Sequence, residues 1–325
     1  MVAEIVFTNS ISADFEQFLQ KNKIETPIIL VDSNTKNFCL PFLKLKQYHC
    51  IEIPFGENEK NWTNLSYILN QLLVLNAKRN SFLFNLGGGV VSDIGGLAAS
   101  LYMRGIKFVN IPTTLLSMVD ASIGGKTGID FENRKNLIGS FNHPAKIFID
   151  TVFLKTLADE QKASAFAEII KLAAVYSKEL FEDIENKEEI EVLIKKCALL
   201  KNEIVKLDFE DQNIRQLLNF GHTIGHALEA YYLELNQPIL HGFAVAKGML
   251  MELKLAEENG FISPIDSQKI KQLILKNIDV KEITHNEFLG LQKYLINDKK
   301  NNSENIRFSF PIEIGKGVFG AELII

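Results

Sequence analysis

The chain has 325 residues, which is enough for two domains or one large one. Hydrophobic residues make up 46% of it and charged residues 23%, an ordinary balance for a globular protein with a sizeable core. The formal net charge of −5 argues against a nucleic-acid-binding or membrane-surface protein, so positive charge for an anionic substrate must be concentrated locally.

The first half of the chain alternates short apolar runs with helix-like segments. Strand-like runs occupy 26–34, 49–56, 81–89 and 106–114, and residues 61–76 carry apolar side chains at helical spacing. Strands and helices that alternate in this order predict a mainly parallel sheet with helices on its faces.

From about residue 157 the apolar period becomes helical. Pro238 and Gly242 bracket a predicted loop that carries His241, and residues 306–315 form a last strand-like stretch. Because the period changes without a flexible linker, we predict two domains packed closely over a cleft. The predicted helices lie within 158–177, 178–208, 216–234 and 242–260.

The cysteines and the first residues indicate the compartment. Cys39, Cys50 and Cys197 are scattered and form no CxxC pair, which is typical of reduced thiols. The first ten residues lack the basic-then-apolar pattern of a signal peptide, and no apolar run is long enough to span a bilayer. We therefore expect a cytoplasmic protein with neither a nucleic-acid nor a membrane partner.

Two glycine-rich segments are candidate phosphate-binding turns. Gly87, Gly88 and Gly89 join a strand-like run to a plausible helix, whose first N–H groups would offer an anion site for a pyrophosphate. The alternative is a tight turn without a ligand, since the triplet does not match GxGxxG. A second glycine turn at 120–130 places Lys126 beside two glycines, which is typical of a phosphate contact and favours the ligand.

Three of the six histidines fall close together in the second half of the chain. His222 and His226 are four residues apart, so both side chains would share one helix face. This spacing is typical of a metal pair, and Glu168 and His241 could complete the site. The spacing leaves open whether His226 is a ligand or an acid/base residue next to the metal.

Positively charged residues gather around the same segments. Lys171 lies three residues after Glu168 on the same predicted helix face, and Arg215 precedes His222 with Asn219 between them. Such residues suit a substrate with carboxylate and phosphate groups. The set comprises Arg104, Lys126, Lys135, Lys171, Lys201, Arg215, Lys299 and Lys300.

Long motifs run in order from about residue 30 to the last strand-like stretch. The longest are LGGGVVSD at 86–93, IPTTLLSMVDASIGGKTGID at 111–130, AEIIK at 167–171 and RQLLNFGHTIGHALEA at 215–230. In these motifs the chain resembles the 3-dehydroquinate synthase family of sugar phosphate cyclases. Motifs of this length are more specific than any of the spacings above.

The resemblance implies a fold and an activity. The fold is a Rossmann-like α/β domain with a mainly parallel sheet at 1–157 and an all-α domain at 158–325, with the active site in the cleft between them. The activity is that of a carbon–oxygen lyase of the shikimate pathway. Such an enzyme uses NAD as a recycled catalyst together with zinc or cobalt. Its substrate is a small phosphorylated sugar acid, 3-deoxy-D-arabino-heptulosonate 7-phosphate, and its products are 3-dehydroquinate and phosphate. A homodimer is implied, in which Arg104 reaches the site of the partner subunit.

The resemblance also assigns roles residue by residue. Glu168, His222 and His241 correspond to the metal ligands. His226 becomes an acid/base residue beside them, and three protein ligands leave room for substrate hydroxyls. The predicted catalytic residues are His226, Asp211, Lys171, Asp120 and Lys126. The predicted substrate contacts are Arg104, Asp120, Lys126, Asn136, Lys171, Lys201, Arg215, Asn219, Lys299 and Lys300. The predicted NAD contacts are Asp32, Asn34, Glu57, Lys60, Gly88, Gly89, Val90, Val91, Ser92, Asp93, Thr113, Thr114, Lys135 and Thr156.

The sequence departs from the family pattern at four places. Asp211 stands where the family usually has a glutamate that partners His226, so its carboxylate is one methylene shorter. Phe243 and Phe209 replace acidic residues, and Ser92 replaces a glycine in the dinucleotide turn. We expect these departures to affect efficiency and not the reaction class.

Three alternatives remain open to the sequence. Another sugar phosphate cyclase, such as a 2-deoxy-scyllo-inosose or valiolone-type synthase, would not need to bind a substrate carboxylate. Lys201 and Arg215, which the family uses near that carboxylate, are both present and favour the sugar acid. A metal-dependent polyol dehydrogenase would release NADH, but the phosphate-side residues Lys126, Asn136 and His226 favour a cyclase. A non-catalytic homologue would be expected to lose a metal ligand, and all three are present.

Overall fold

The computed structural model describes residues 3–132, 134–295 and 305–324. Lys299 and Lys300, one of which is predicted to contact substrate, lie outside the described residues. The chain divides into two compact units, of which the first comprises residues up to Ala158 together with Ala198–Glu210. We call this the sheet unit, and the remainder, residues 159–197 and 211–325, the helical unit.

The sheet unit is built on six parallel strands in the order β1-β8-β5-β4-β2-β3, which confirms the predicted parallel sheet. The central strand β4 is buried at every position, because a parallel sheet with helices on both faces has no solvated side. The six strands are β1 (Glu4–Phe7), β2 (Ile28–Asp32), β3 (His49–Ile53), β4 (Phe82–Gly87), β5 (Lys107–Pro112) and β8 (Lys146–Ile149).

Four α-helices accompany this sheet, and α4 approaches it most closely. A Cβ atom at Gly95 would lie 2.1 Å from Asn85 Oδ1, so α4 can rest directly on β4 only with glycine at that position. The helices are α1 (Ile11–Lys21), α2 (Ser33–Phe38), α3 (Trp62–Val74) and α4 (Gly89–Leu101), with short 3₁₀ helices at Leu40–Leu43, Glu57–Glu59, Tyr102–Arg104 and Thr151–Thr156 and a π-helix at Ser117–Ala121.

An antiparallel hairpin extends the second glycine-rich turn, which the sequence analysis interpreted only as a turn. Its strands are β6 (Lys126–Phe131) and β7 (Arg134–Phe141), and Thr127 pairs with Ser140. Ser140 Oγ donates to Ser100 Oγ over 3.0 Å, which fixes the hairpin beside the end of α4.

The helical unit is mostly helical, as predicted, and it also contains an antiparallel hairpin of β9 and β10. Strand β9 falls on the predicted strand-like stretch. None of the helices in the described residues is both long and apolar enough to cross a membrane. The elements are α5 (Asp159–Tyr176), α6 (Lys178–Glu185), α7 (Ile190–Leu207, whose last turns belong to the sheet unit), α8 (His222–Glu234), α9 (His241–Glu258), α10 (Pro264–Asn277), α11 (His285–Leu295), β9 (Ile306–Glu313) and β10 (Lys316–Leu323).

Candidate active site

Helix α8 begins at His222, whereas the sequence analysis predicted a continuous helix from residue 216. The break is at Gly221, whose φ of +79° is a left-handed conformation that favours glycine. Gly221 has no side chain to cap α8, and the buried carboxylate of Glu252 on α9 takes that role. It accepts hydrogen bonds from the N–H groups of Gly221 (2.6 Å) and Ile224 (3.1 Å). Glu252 therefore fixes the turn that carries His222.

His241 is the first residue of α9 and not part of a loop as predicted. The N–H group of Gly242 donates to Ser164 Oγ on α5 over 3.0 Å. A Cβ atom at Gly242 would lie only 1.7 Å from the Ser164 carbonyl oxygen, so this approach requires glycine. Because Glu168 lies one turn further along α5, the contact brings His241 to Glu168.

Glu168, His222 and His241 form a compact cluster whose ligand atoms lie within 4.8 Å of one another. Glu168 Oε1 lies 3.6 Å from His222 Nε2 and 3.5 Å from His241 Nε2. It is buried and accepts no hydrogen bond from any described residue. A tetrahedral ion with bonds of about 2.0–2.1 Å separates its ligand atoms by about 3.3 Å. The three side chains therefore fit a divalent metal ion.

The charges of Glu168 and His222 also suit a metal. Burial raises the pKa of Glu168, but Lys171, which forms an ion pair with Glu168 Oε2, has the opposite effect, and the pKa is held well below its usual value. Burial, assisted by Lys171, lowers the pKa of His222 well below its usual value. A carboxylate beside a neutral imidazole is the protonation state that metal binding requires.

Glu229 orients His241, the third side chain of this cluster. Its Oε2 lies 3.2 Å from His241 Nδ1, which leaves Nε2 to face Glu168. Burial lowers the pKa of His241, but Glu229 and Glu168 raise it to about 10, so in the metal-free chain this imidazole is protonated. A metal ion would displace that proton, and the Glu229 carboxylate would then strengthen the ligand.

His226 lies beside the cluster. Its ring centroid is 5.2 Å from that of His222, and its side chain is exposed. His226, Glu229 and His241 also bring ligand atoms within 4.8 Å of one another. The geometry thus keeps His226 next to the metal cluster, where it can exchange protons with solvent.

Removing the Glu252 carboxylate should weaken the fold and the metal site together. We expect Glu252→Ala to lower the free energy of unfolding by roughly 1–3 kcal/mol, because two buried N–H groups lose their acceptor. The His222 turn would loosen, and metal affinity should fall. Chemical denaturation and a chelator competition measure the two effects. Glu257→Ala, at an exposed position of the same helix, is the control and should change neither.

Glu229→Ala should act on metal affinity more than on folding. Loss of a carboxylate that holds a ligand histidine typically costs roughly 10–100-fold in metal affinity. Competition with a chelator at pH 7.5 measures this loss. Glu234→Ala, on the same helix but exposed and paired with Lys293, should bind metal like the unaltered chain; equal affinity of both variants would contradict the role of Glu229.

The first glycine-rich turn has the form of a dinucleotide-binding turn. Strand β4 ends at Gly87, Gly88 precedes α4, and among the described residues no side chain caps the first turn of α4. Cβ atoms at these two glycines would lie 2.5 Å from Val91 Cβ and 3.1 Å from Thr114 Cγ2. The bare N–H groups at the start of α4 therefore suit a pyrophosphate.

Lys60 lies buried among carboxylates near this turn. Its Nζ is 3.2 Å from Asp93 and 3.3 Å from Glu57. Burial lowers the pKa of Lys60, but the carboxylates raise it above its usual value, so the lysine is charged. Burial raises the pKa of Asp93 to about 6, with Lys60 opposing the shift.

The other predicted NAD contacts lie after neighbouring strands of the sheet. Asp32 ends β2 and caps α2, accepting from the Thr35 N–H group over 2.7 Å, and Asn34 beside it is exposed. Thr113 follows β5 and is buried, and Thr156 Oγ1 lies 3.8 Å from Cys39 Sγ. Carboxyl ends of parallel strands meet at one edge of a sheet, where α/β folds bind nucleotides.

Asp120 and Lys201 are brought together from distant parts of the sequence. Asp120 lies in the π-helix, and Lys201 Nζ donates to its carbonyl oxygen over 2.7 Å and forms an ion pair with its Oδ1. A π-helix frequently marks a functional site. The sheet unit therefore contains a buried lysine fixed by the aspartate that the sequence analysis assigned to the substrate.

The remaining predicted contacts differ in exposure. Lys171 and Arg215 are buried, Asn219 ends a 3₁₀ helix before Gly221, and Asp211 has a φ of +59°. Exposed residues include Arg104, Lys126, Lys135 and Asn136.

Glu229 and Glu252 were not predicted from the sequence. Only the helical spacing of Glu229, three residues after His226, could have indicated the first of them.

The fold is shared with a solved sugar phosphate cyclase. A structure of 2-deoxy-scyllo-inosose synthase complexed with carbaglucose-6-phosphate, NAD+ and Co2+ matches with a TM-score of 0.88 at 23% identity. The match covers 98% of this chain and 93% of that one. At this identity the match shows a shared fold, in which a parallel-sheet unit is joined to a helical unit.

Sequence comparison shows the family. The family model for the 3-dehydroquinate synthase N-terminal domain matches residues 50–164, and that for the C-terminal domain matches residues 165–301. The 3-dehydroquinate synthase of Helicobacter pylori (strain ATCC 700392 / 26695) is 42% identical over 299 residues, covering 89% of this chain and 85% of its own. That of Campylobacter concisus (strain 13826) is 41% identical over 285 residues, covering 86% and 81%. The chain belongs to the 3-dehydroquinate synthase family of enzymes.

Proposed function

We propose that this enzyme converts 3-deoxy-D-arabino-heptulosonate 7-phosphate to 3-dehydroquinate and phosphate. The observation that carries the proposal is the 42% identity to a 3-dehydroquinate synthase over 89% of the chain. The preserved cluster of Glu168, His222 and His241 supports it, since the reaction requires a Lewis acid. Cys39, Cys50 and Cys197 are thiols and not disulfides, which agrees with a cytoplasmic location.

The cofactors are NAD and Zn2+ or Co2+. When bound, NAD would supply a hydride acceptor that is restored within each turnover, and the metal ion would lower the pKa of a substrate hydroxyl. The N–H groups at the start of α4 would bind the pyrophosphate, and Asp32 would accept hydrogen bonds from ribose hydroxyls. Lys60 and Asp93 fix the geometry around this turn through their ion pair.

Charged side chains hold the two anionic ends of the substrate. Arg215 has the planar fork that binds a carboxylate with two hydrogen bonds, and Lys201 adds a second positive charge. Lys126 and Asn136 on the β6–β7 hairpin hold the phosphate. Holding both ends of the substrate lets oxidation, elimination of phosphate, reduction and ring closure follow one another on one bound molecule.

Two further side chains carry proton chemistry. Lys171 keeps a positive charge beside Glu168 and favours the ionised form of the substrate hydroxyl. His226 is exposed beside the metal cluster and moves protons between substrate and solvent, with Asp211 as its partner. The phosphate group itself can accept the proton that is lost in its own elimination.

Release of inorganic phosphate with catalytic NAD and added Zn2+ or Co2+ tests the proposal. We expect phosphate and 3-dehydroquinate in equal amounts and no net NADH. Stoichiometric NADH would identify a polyol dehydrogenase instead. Turnover of a phosphorylated hexose that lacks a carboxylate, in place of the sugar acid, would identify another sugar phosphate cyclase.

We further propose a homodimer formed through the sheet unit. Leu101, Met103, Leu137 and Phe141 are each 37–48% exposed. Leu101 and Phe141 directly follow Ser100 and Ser140, whose hydroxyl groups are joined by a hydrogen bond of 3.0 Å, so the backbones of these two residues lie near each other. Exposed apolar side chains in one patch favour a protein partner. Phe141→Asp should convert a dimer to a monomer in sedimentation velocity.

In this dimer Arg104 would act in the site of the partner subunit. Mixing Arg104→Ala with His222→Ala subunits should then restore activity, because one site of each mixed dimer receives both intact residues. If Arg104 acts within its own subunit, mixing restores nothing.

A further inference from the structure

Asp130 stands at an irregular point of the β6–β7 hairpin. Ile129 pairs with Ile138 and Phe131 with Arg134, so the register shifts across Asp130 and its side chain is released from regular cross-strand pairing. Such bulges re-aim a side chain and are frequent beside active sites. None of the roles assigned so far includes Asp130.

The side chain of Asp130 fixes an unusual backbone conformation at Asn136. Asn136 has a φ of +52°, which is unfavourable for a residue with a side chain although asparagine tolerates it better than most. Its N–H group donates to Asp130 Oδ1 over 2.8 Å. A hydrogen bond to a charged acceptor is stronger than one to a neutral acceptor, so Asp130 can hold this left-handed residue in place.

Asp130 also contacts Lys60 in two ways. Its N–H group donates to the Lys60 carbonyl oxygen over 2.8 Å, and its Oδ1 lies 3.9 Å from Lys60 Nζ. Lys60 Nζ also contacts Asp93, in the first turns of α4 after the glycine-rich turn, at 3.2 Å. Asp130 therefore contacts Lys60, which is assigned to NAD binding together with Asp93. It also contacts Asn136, which is assigned to phosphate binding.

We propose that Asp130 is a positioning residue that couples NAD binding to substrate binding, by holding Asn136 in its left-handed conformation while it fixes Lys60. This inference rests on the proposed function, since Lys60, Asp93 and Asn136 have their binding roles there. NAD that orders Lys60 and Asp93 also orders Asp130, and with it the phosphate contact at Asn136. Each ligand should then tighten the binding of the other by the same factor.

The test is an equilibrium titration of the metal-loaded enzyme with NAD, without and with saturating inorganic phosphate. Phosphate occupies the site without reacting, and we expect it to tighten NAD binding by about fivefold or more. In Asp130→Ala the two NAD titrations should coincide. Substrate KM should rise about 10-fold in this variant, with kcat changed far less, because Asp130 touches no reacting atom.

Two further variants separate positioning from general damage to the fold. Asp130→Asn keeps an acceptor for the Asn136 N–H group but not the charge beside Lys60, so it should bind phosphate normally and lose the coupling. Glu132→Gln removes one charge from the same hairpin at an exposed residue and should keep the coupling. If Asp130→Ala does not fold, the two NAD titrations of Asp130→Asn test the inference.

Asn136→Gly supplies an independent check. Glycine adopts positive φ without strain, so this variant needs no side chain to hold its backbone. Adding Asp130→Ala to Asn136→Gly should raise substrate KM less than Asp130→Ala alone does. Coupling that persists in Asp130→Ala or Asp130→Asn, or its absence from the unaltered enzyme, overturns the inference. Failure of the unaltered enzyme to bind NAD would instead overturn the proposed function.

Discussion

Replacing His222 by alanine is expected to abolish tight metal binding and turnover together. His222 Nε2 lies 3.6 Å from Glu168 Oε1, and without it two protein ligands remain. Loss of a residue that only supports a ligand costs roughly 10–100-fold, so loss of the ligand itself should exceed roughly 100-fold. Metal content after dialysis and phosphate release measure the two effects on the same sample.

His49→Ala is the control for this experiment. His49 is exposed at the start of β3 in the sheet unit, so its removal changes the histidine count without touching the cluster. It should retain metal and activity. Activity of His222→Ala in buffer stripped of metal would contradict the assignment of the metal site.

Replacing Lys171 by methionine is expected to destabilise the metal-free enzyme far more than the metal-loaded one. The side chains of Lys171 and Glu168 are 3% and 1% exposed, so the change removes the cation that pairs with Oε2 of a buried carboxylate. Breaking a buried pair in this way costs roughly 3–5 kcal/mol. Bound metal would neutralise Glu168 in place of the lysine and recover much of that loss.

Lys162→Met on the same helix is the matched control. Lys162 pairs with Asp159 at 2.9 Å with the same spacing of three residues, but these side chains are 36% and 98% exposed. An exposed ion pair contributes little to stability, so this variant should unfold almost like the unaltered enzyme with or without metal. Unfolding by denaturant in chelator and in Zn2+ gives the comparison. Equal destabilisation of Lys171→Met in both conditions would argue against metal at Glu168.

Much of the fold could be predicted from the apolar pattern. The runs at 26–34, 81–89 and 106–114 fall on β2, β4 and β5, because buried parallel strands are continuously apolar. Strands β6 and β7 were missed, since their glycines and exposed polar residues resemble a turn. Their pairing depends on contacts with α4 and the distant Ser100, which a local pattern does not contain.

Part of the site could be predicted as well. The spacing of His222 and His226 predicted a metal pair on one helix face, and the structure places the two ring centroids 5.2 Å apart. The spacing could not distinguish a ligand from a neighbouring acid/base residue. The break at Gly221 was missed because its left-handed backbone is stabilised by Glu252, which is 31 residues away. Glu229 was missed because the partner of its carboxylate, His241, lies on another helix.

The division of α7 between the two units has a consequence for how the protein is made. The sheet unit requires Ala198–Glu210, which include the lysine that holds Asp120. A growing chain therefore cannot complete this unit until the ribosome has passed residue 210, after the first helices of the other unit have already emerged. A fragment that ends at residue 158 should accordingly remain an incomplete folding unit, even though the six parallel strands are all present in it.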